Sequence, residues 1–331
     1  MAFCCRSVRC FAAASAALAP GLPCRLTDSS VSSMEALIRA PDVGWQQTEA
    51  DLRVLVSGNA GGVNALGIHD EATGELLSMA ALSTFDGPNR AWGWLAYVVT
   101  TARARRLRLA RTLVEALLRD APPCAIGLYG STAGVPLYSA LGFVGCGTAQ
   151  LMQRLPGPAE LAGSATLPSG MEITPARAAL GTICALDAQI YGADRGALLA
   201  GWADSEASWV LREGGQLVGY VLARPAHPAG AVWLGPLVAP SVEAAEAMLR
   251  TALAALPDEA TVQMLLPDVA LADGLAAPVE RLGFERVGDA TRLMVRPGGG
   301  EACVPWTRCW GTAEARSGAP RPFAATGYEF G

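Results

Sequence analysis

An internal repeat constrains this sequence more than any other feature. Trp94-Leu95 begins an apolar run in the first half, and Trp233-Leu234 begins a similar run in the second. Leu141-Gly142-Phe143 recurs as Leu282-Gly283-Phe284 at nearly the same spacing. Either match could arise by chance, but two matches at nearly one offset favour duplication. The sequence therefore predicts two copies of one fold in tandem.

Both halves show the same predicted order of elements. Each has short alternating strands and then a near-continuous apolar run, at residues 91–100 and 231–239, that is typical of a strand buried on both faces. A helix follows each run, at residues 106–119 and 242–256, and the first has leucines recurring along one face. A strand, a short helix and a last strand complete each half. This order indicates an α/β (α+β) fold class.

Composition divides the chain into segments. Residues 1–24 contain arginines but no acid, which is typical of a transit peptide, although a secretory signal or a plain leader is also possible. A chloroplast or mitochondrial location is expected from the leader, and a cytoplasmic one without it. Residues 156–170 are rich in proline, glycine and small residues, as linkers are. The remaining predicted segments are a first domain at 25–155, a second at 171–297, and an aromatic-rich tail at 298–331 that packs on the second domain.

The bulk properties argue against several classes of protein. The net charge is -5, which disfavours nucleic acid as a partner. After the leader, no segment approaches the apolar length of a membrane span, so no membrane partner is expected. The nine cysteines form no CxxC pair and the two histidines lie far apart, so no metal is expected either. The oligomeric state cannot be derived from the sequence.

A basic segment follows the apolar strand of the first half and opens the next helix. The first amides of a helix have no partners within it, and the helix dipole makes them a site for anions. Five arginines surround this helix start: Arg103, Arg105, Arg106, Arg108 and Arg111. A multiply charged ligand such as a pyrophosphate fits this pattern. The alternative is a solvated basic helix start.

The residues around and after this helix resemble the GNAT superfamily of acyl-CoA-dependent N-acetyltransferases. The family's cofactor motif is Gln or Arg, two residues, Gly, one residue, then Gly or Ala, and it matches here at Arg105 and Ala110. A Tyr four residues before a Gly-Phe pair is matched by Tyr138 and Gly142-Phe143. The resemblance covers the first domain in element order. It implies tandem GNAT folds, each with a mixed, mostly antiparallel central sheet flanked by helices.

The resemblance also implies roles for particular residues, with acetyl-CoA as cosubstrate and no metal. Tyr138 would give a proton to the leaving CoA thiolate, and such an acid typically contributes about a hundred- to ten-thousand-fold in rate. The alternative for Tyr138 is a packed aromatic ring with a bonded hydroxyl. The implied cofactor-binding residues, from the pantetheine arm to the pyrophosphate, are Val98, Val99, Arg105, Arg106, Leu107, Arg108, Leu109, Ala110 and Arg111. The general base stays open, with Glu49, Asp51 and Asp86 as candidates.

This sequence departs from the family motif at its central glycine, which Arg108 replaces. Glycine there lets the backbone approach phosphates without a side chain in the way. Arg108 either projects aside and adds a guanidinium contact or weakens the site.

The second half lacks the cofactor motif, because its helix start carries Glu243 and Glu246 and has no arginine before Arg250. Acids at a helix start suit the dipole but repel phosphates, so the second domain is predicted to be non-catalytic. It resembles the closing half of two-domain GNAT proteins, which is thought to help form the acceptor pocket. The candidate substrate residues are Trp45, Asp187, Asp194 and Arg195. For the last three, the alternative is helix capping and an internal ion pair.

The leading functional hypothesis is acetyl transfer from acetyl-CoA to an amine of a small molecule, by direct attack in a ternary complex. One alternative is acetylation of protein N-termini or side chains. A second is a non-catalytic GNAT-like sensor or scaffold in which Arg108 marks lost cofactor binding. A dinucleotide site is disfavoured, because Gly127, Gly130 and Gly134 do not form GxGxxG.

Overall fold

The fold is taken from a computed structural model that describes residues 18–57, 62–86, 91–157, 167, 169–298 and 320–325. Most of the predicted leader, residues 1–17, lies outside this part. In the first half the strands are β1 (Cys24–Arg25), β2 (Gly62–His69), β3 (Leu76–Phe85), β4 (Trp92–Thr100), β5 (Ala125–Gly130) and β6 (Val144–Arg154). The helices there are α1 (Val31–Ile38), α2 (Glu49–Ser57), α3 (Leu109–Asp120) and α4 (Val135–Ala140).

The second half repeats the order. Its strands are β7 (Met171–Pro175), β8 (Trp209–Glu213), β9 (Gln216–Ala226), β10 (Ala231–Ala239), β11 (Thr261–Pro267), β12 (Glu285–Arg296) and β13 (Arg321–Ala324). Its helices are α5 (Leu180–Tyr191), α6 (Gly196–Ala203), α7 (Val242–Ala254), α8 (Asp268–Ala270) and α9 (Ala276–Arg281), with a π-helical turn at Leu271–Leu275. Within the described residues, none of the helices combines the length and apolarity that a membrane span needs.

The strands form one continuous sheet in the order β1-β2-β3-β4-β5-β12-β6-β11-β10-β9-β8-β7, and β13 pairs with β10. Among the described strands, only β4–β5 and β10–β11 pair in parallel. The predicted fold class, a mixed and mostly antiparallel sheet flanked by helices, is confirmed.

The two halves exchange their last strands. The first half's β6 pairs with β11, and the second half's β12 pairs with β5, so β12 and β6 lie side by side at the centre. Because each half completes the other's sheet, neither has a free sheet edge at the centre. The sequence indicates a last strand in each half but contains no signal for this exchange.

The amphipathic helices bury their apolar faces on this sheet. Helix α3 buries Leu109, Leu113, Val114 and Leu117, which pack in one cluster with Ile126 and Leu128 of β5. Burying such a side chain contributes about 1.5–3 kcal/mol. This packing fixes the start of α3 against the carboxyl end of β4.

Residues at both ends of the described chain join the sheet. Pro20 forms a bridge with Asp70, and β1 pairs with β2, so part of the segment predicted as leader belongs to the fold. At the other end, β13 pairs with β10 of the second half. The rest of the predicted tail, apart from residues 298 and 320–325, lies outside the described residues.

Candidate active site

The start of α3 has an unusual backbone. Arg106 and Arg108 have positive φ angles, 68° and 62°. Arg108 is the N-cap, and the hydrogen bond from the Thr112 amide to its carbonyl oxygen is 3.0 Å long. The amides of residues 109–111 precede this bond and have no partner within the helix. They are therefore placed to bind an anion.

The arginines around this helix start divide into two groups. Three are already paired with acids, in the ion pairs Arg103–Glu75, Arg105–Asp42 and Arg111–Glu115. Arg106 and Arg108 are exposed and have no ion pair within the described part of the chain. Two positive charges thus remain available to an anionic ligand beside the open amides.

The left-handed conformation of Arg108 leads to a stability prediction. A non-glycine residue in this region costs about 1–2 kcal/mol, which glycine avoids, although glycine loses more entropy on folding. We expect Arg108→Gly to raise the free energy of unfolding by about 1 kcal/mol in urea titrations without ligand. Arg108→Ala removes the guanidinium but keeps the strain, so it should change stability little. Equal stability of the two variants would contradict this explanation.

The sheet opens beside this helix start. Strands β4 and β5 pair only from Trp92–Ala125 to Trp94–Gly127. Beyond this point β4 has a bulge, at which Tyr97 takes a positive φ of 55°. At Val99 and Thr100, β4 keeps its pairing with β3, but the other edge of residues 98–100 has no strand partner among the described residues. Val98 and Val99, predicted to hold a pantetheine arm, lie along this open edge.

Tyr138 lies on α4 at the same cleft and is buried, with its ring edge-on to Phe143 at 6.0 Å between centroids. Gly130 and Gly134 make room for the ring, since a Cβ on either would lie 3.2 Å or 2.8 Å from it. Burial raises the pKa of Tyr138 to about 12. The phenol therefore stays protonated at neutral pH, as a proton donor must. The pKa direction also matches the alternative of a packed aromatic ring, so activity must decide between them.

A cavity of about 270 Å³ lies at the end of the cleft. Five aromatic residues line it: Trp45, Tyr97, Tyr129, Tyr138 and Trp233. The other lining residues are apolar or neutral, so none of the described residues that line the cavity is charged. Trp45 thus lies where the sequence predicted a substrate contact. Trp233 and Thr291 come from the second half, which therefore helps to build the pocket.

The cavity wall at residues 44–47 is held from both halves. The guanidinium of Arg39 donates to the carbonyl oxygens of Trp45 and Gln47. From the second half, the His227 amide donates to the Gln46 carbonyl oxygen over 2.7 Å. These bonds fix the loop that carries Trp45.

A buried ion pair between the halves supports the same wall. Asp51 accepts from Arg224 over 2.8 Å and from the amide and hydroxyl of Thr48 over 2.7 and 2.8 Å. Asp51 is thus fully engaged in structural contacts. The other candidate bases are exposed: Glu49 pairs with Arg53, and Asp86 lies at the end of β3. None of the three lines the cavity.

Three predicted substrate residues lie away from the cavity. Asp187 and Arg195 form a fully buried ion pair, with 2.7 Å between Nη2 and Oδ1. Asp194 is exposed and accepts from the Gly196 amide at the start of α6. The arrangement is the alternative left open by the sequence, an internal ion pair and a helix cap. The reason is that Asp187, on α5, and Arg195, just before the start of α6, are both buried in the core.

The corresponding helix start in the second half is closed to anions. The Ser241 side chain accepts from the Ala244 amide and caps α7, and Glu243 adds a negative charge in the first turn. The first half has no such cap, since Arg108 makes no side-chain capping bond. The contrast supports assigning anion binding to the first half alone.

Sequence reasoning missed two contributors to the site. Trp233 was noted only as the repeat counterpart of Trp94, and nothing in its local pattern indicates that it faces the first half. Thr291 reaches the cavity only because β12 is exchanged into the first half's side of the sheet.

Comparisons with known proteins agree with this fold. Residues 183–301, in the second half, match the family described as acetyltransferase (GNAT) domain. A Pyrococcus horikoshii protein provisionally described as an acetyltransferase has a TM-score of 0.66 at 16% identity, with 94% of this chain and 95% of that chain covered. A tandem GNAT protein from the clavulanic acid biosynthesis pathway has a TM-score of 0.59 at 14% identity, with 85% and 99% covered. No curated protein matches the sequence.

Proposed function

We propose that this chain is a GNAT acetyltransferase, because its second half matches the family's model and its fold resembles that of acetyltransferase structures. We propose further that its first half transfers an acetyl group from acetyl-CoA to an amine of a small molecule. One observation carries this proposal. A single cleft joins an anion-binding helix start, a strand edge without a described partner, a buried tyrosine and a small cavity lined by aromatic residues. Along the cleft, these parts suit the phosphates, the extended arm and the thioester of a long cosubstrate, and then a small acceptor.

The residues present fit acetyl-CoA, which would supply the activated thioester. The amides of residues 109–111, with Arg106 and Arg108, would hold the pyrophosphate. The open edge at Val98 and Val99 would hold the pantetheine arm through backbone hydrogen bonds. The remaining predicted contacts, Arg105, Leu107 and Arg111, lie in the same turn and first helical turn. Exposure of Leu107 makes it a backbone contact at most.

The chain's own groups account for the proton that the leaving thiolate needs. The amine nitrogen forms a bond to the acetyl carbonyl carbon, and the bond from that carbon to sulfur breaks. Tyr138 holds a proton on its phenol oxygen and gives it to the thiolate sulfur. The nitrogen then loses its extra proton to solvent, and solvent returns a proton to the phenolate oxygen of Tyr138.

The uncharged cavity bears on how the amine becomes nucleophilic. An ammonium ion loses hydration on entering a pocket without a carboxylate, and such desolvation lowers its pKa. The pocket therefore favours binding of the neutral amine, which can attack directly. This assigns no catalytic role to Glu49, Asp51 or Asp86.

The size of the cavity favours a small acceptor over a protein. At about 270 Å³ it approaches the lower limit of ordinary ligand pockets, about 300 Å³. Trp45 and Trp233 enclose it from the two halves. A protein terminus would need an open groove leading away from this wall.

Calorimetric titration with acetyl-CoA tests the cofactor site, using the parent protein and Ala110→Glu. We expect micromolar binding by the parent and a loss of at least about a hundredfold in the variant, because the new carboxylate lies among the amides that hold phosphates. A glutamate in the first turn suits the helix dipole, so the fold should persist. Ala185→Glu, on an exposed face of α5, is the matched control and should bind as the parent does.

The alternative outcome has a definite meaning. If the parent protein does not bind acetyl-CoA, Arg108 has closed the site and the enzyme proposal is wrong. A non-catalytic sensor or scaffold would then be the better description.

A further inference from the structure

We propose that strand β13 of the chain itself takes the place of an acyl-CoA ligand in the cleft of the second half. The protein would then bind one acyl-CoA per chain, in the first half. The structure supplies the observations on the cleft. The assignment of acyl-CoA to the corresponding cleft of the first half, between β4 and β5, rests on the proposed function.

The two halves open their sheets in the same way. In the first half β4 and β5 form three parallel pairs, ending at Trp94–Gly127, and then separate. In the second half β10 and β11 form three parallel pairs, ending at Trp233–Gln263, and then separate. Both halves also have a bulge just beyond the last pair, between Ala96 and Val99 in β4 and between Leu234 and Leu237 in β10. The duplication has therefore preserved the cleft in both copies.

Among the described residues, protein occupies the second cleft but not the first. Strand β13 pairs antiparallel with β10 over Leu237–Ala239. Across the gap, the Ala325 amide donates to the Leu265 carbonyl oxygen of β11 over 2.9 Å. The segment thus bonds to both separated strands. At the matching edge of β4, residues 98–100, no described strand takes this place.

The residue at the bulge reflects this difference. A Cβ on Gly235 would lie only 2.2 Å from the Ala325 carbonyl oxygen, so β13 requires glycine there. The repeat places Ala96 at the matching position of β4, and its side chain lines the open cavity. The first copy thus has an alanine at the position where the second copy, in which the chain itself enters the cleft, needs glycine.

Side-chain contacts hold the segment in place. Pro322 and Ala325 are buried, and Arg321 forms an ion pair of 3.2 Å with Asp273. The capped start of α7, with Glu243, would in addition repel a phosphate at this cleft. In the second half, β13 therefore excludes the pantetheine arm of a CoA ligand, and the start of α7 disfavours its phosphates.

Hydrogen–deuterium exchange on the full chain tests the filled cleft directly. We expect the amides of Phe323, Ala324 and Ala325 to exchange at least about a hundredfold more slowly than in an unstructured peptide. Gly235→Ala should remove this protection, while protection of β5 in the first half stays unchanged. Gly201→Ala, at an open position on α6, is the matched control and should keep β13 protected.

Calorimetry gives the second readout. We expect one acetyl-CoA per chain for the parent protein. Two per chain, or unprotected β13 amides in the parent, would overturn the inference, and so would unchanged β13 protection in a folded Gly235→Ala. No acetyl-CoA bound would defeat the proposed function, while exchange in the parent would still decide whether β13 fills the second cleft.

Discussion

Replacing Tyr138 by phenylalanine is expected to lower kcat by about a hundred- to ten-thousand-fold at saturating acetyl-CoA. The variant keeps the ring that packs against Phe143 and removes only the proton that the leaving thiolate would receive. Steady-state kinetics with an amine acceptor measures the effect. Calorimetry on the same variant should show an acetyl-CoA affinity within about threefold of the parent, because no cofactor contact of the hydroxyl is needed for binding.

The pH dependence provides a control. Burial raises the pKa of Tyr138 to about 12, so its phenol should stay protonated and no alkaline fall in kcat should arise from it below about pH 11. In the unfolded chain the pKa is about 10. The stability that this residue contributes is therefore present below about pH 10 and is lost as the pH rises through 12. A kcat within threefold of the parent in Tyr138→Phe would remove the acid role and leave Tyr138 as a packed aromatic.

Asp187→Ala is expected to lower the free energy of unfolding by about 3–5 kcal/mol, because it leaves a buried guanidinium without its partner. Asp187 accepts from Arg195 through both carboxylate oxygens and from the Tyr220 hydroxyl. Burial by itself lowers the pKa of Arg195, and the Asp187 charge reverses this and raises it above its ordinary value. Urea unfolding measures the loss.

Two comparisons make this result specific. Asp194→Ala removes an exposed cap and should cost only about 1 kcal/mol. The double variant Asp187→Leu with Arg195→Met replaces the pair by apolar groups and should recover most of the stability. If Asp187→Ala instead raised the KM for the acceptor and left stability unchanged, Asp187 would be a substrate contact after all.

The locally determined features were predictable from the sequence. The apolar run of 231–239 predicted β10 with the observed bounds. The helical spacing of leucines predicted α3, although its first residue, Leu109, follows three residues later than expected. These predictions succeed because a residue's periodic position decides which face it buries, and this depends on neighbours a few residues away.

Part of the site was predictable for the same reason. Helix α3 follows a buried strand, so its start had to lie near the strand's end, and the arginines there were visible in the sequence. The family resemblance identified Tyr138, which lines the cavity of the first half. Asp187 and Arg195 were misleading, because charge indicates a functional site only when the side chain reaches solvent or ligand.

The sequence by itself determined the duplication, the elements of each half and the loss of the cofactor motif in the second copy. Only the tertiary structure decided that β6 and β12 exchange halves, that Trp233 closes the first half's cavity, and that β13 enters the second half's cleft. The physical reason is that strand pairing joins backbone groups that every residue carries. Which distant strand forms hydrogen bonds with these backbone groups depends on how the two halves fit together. At Gly235 it depends on the absence of a Cβ, which lets the Ala325 carbonyl approach.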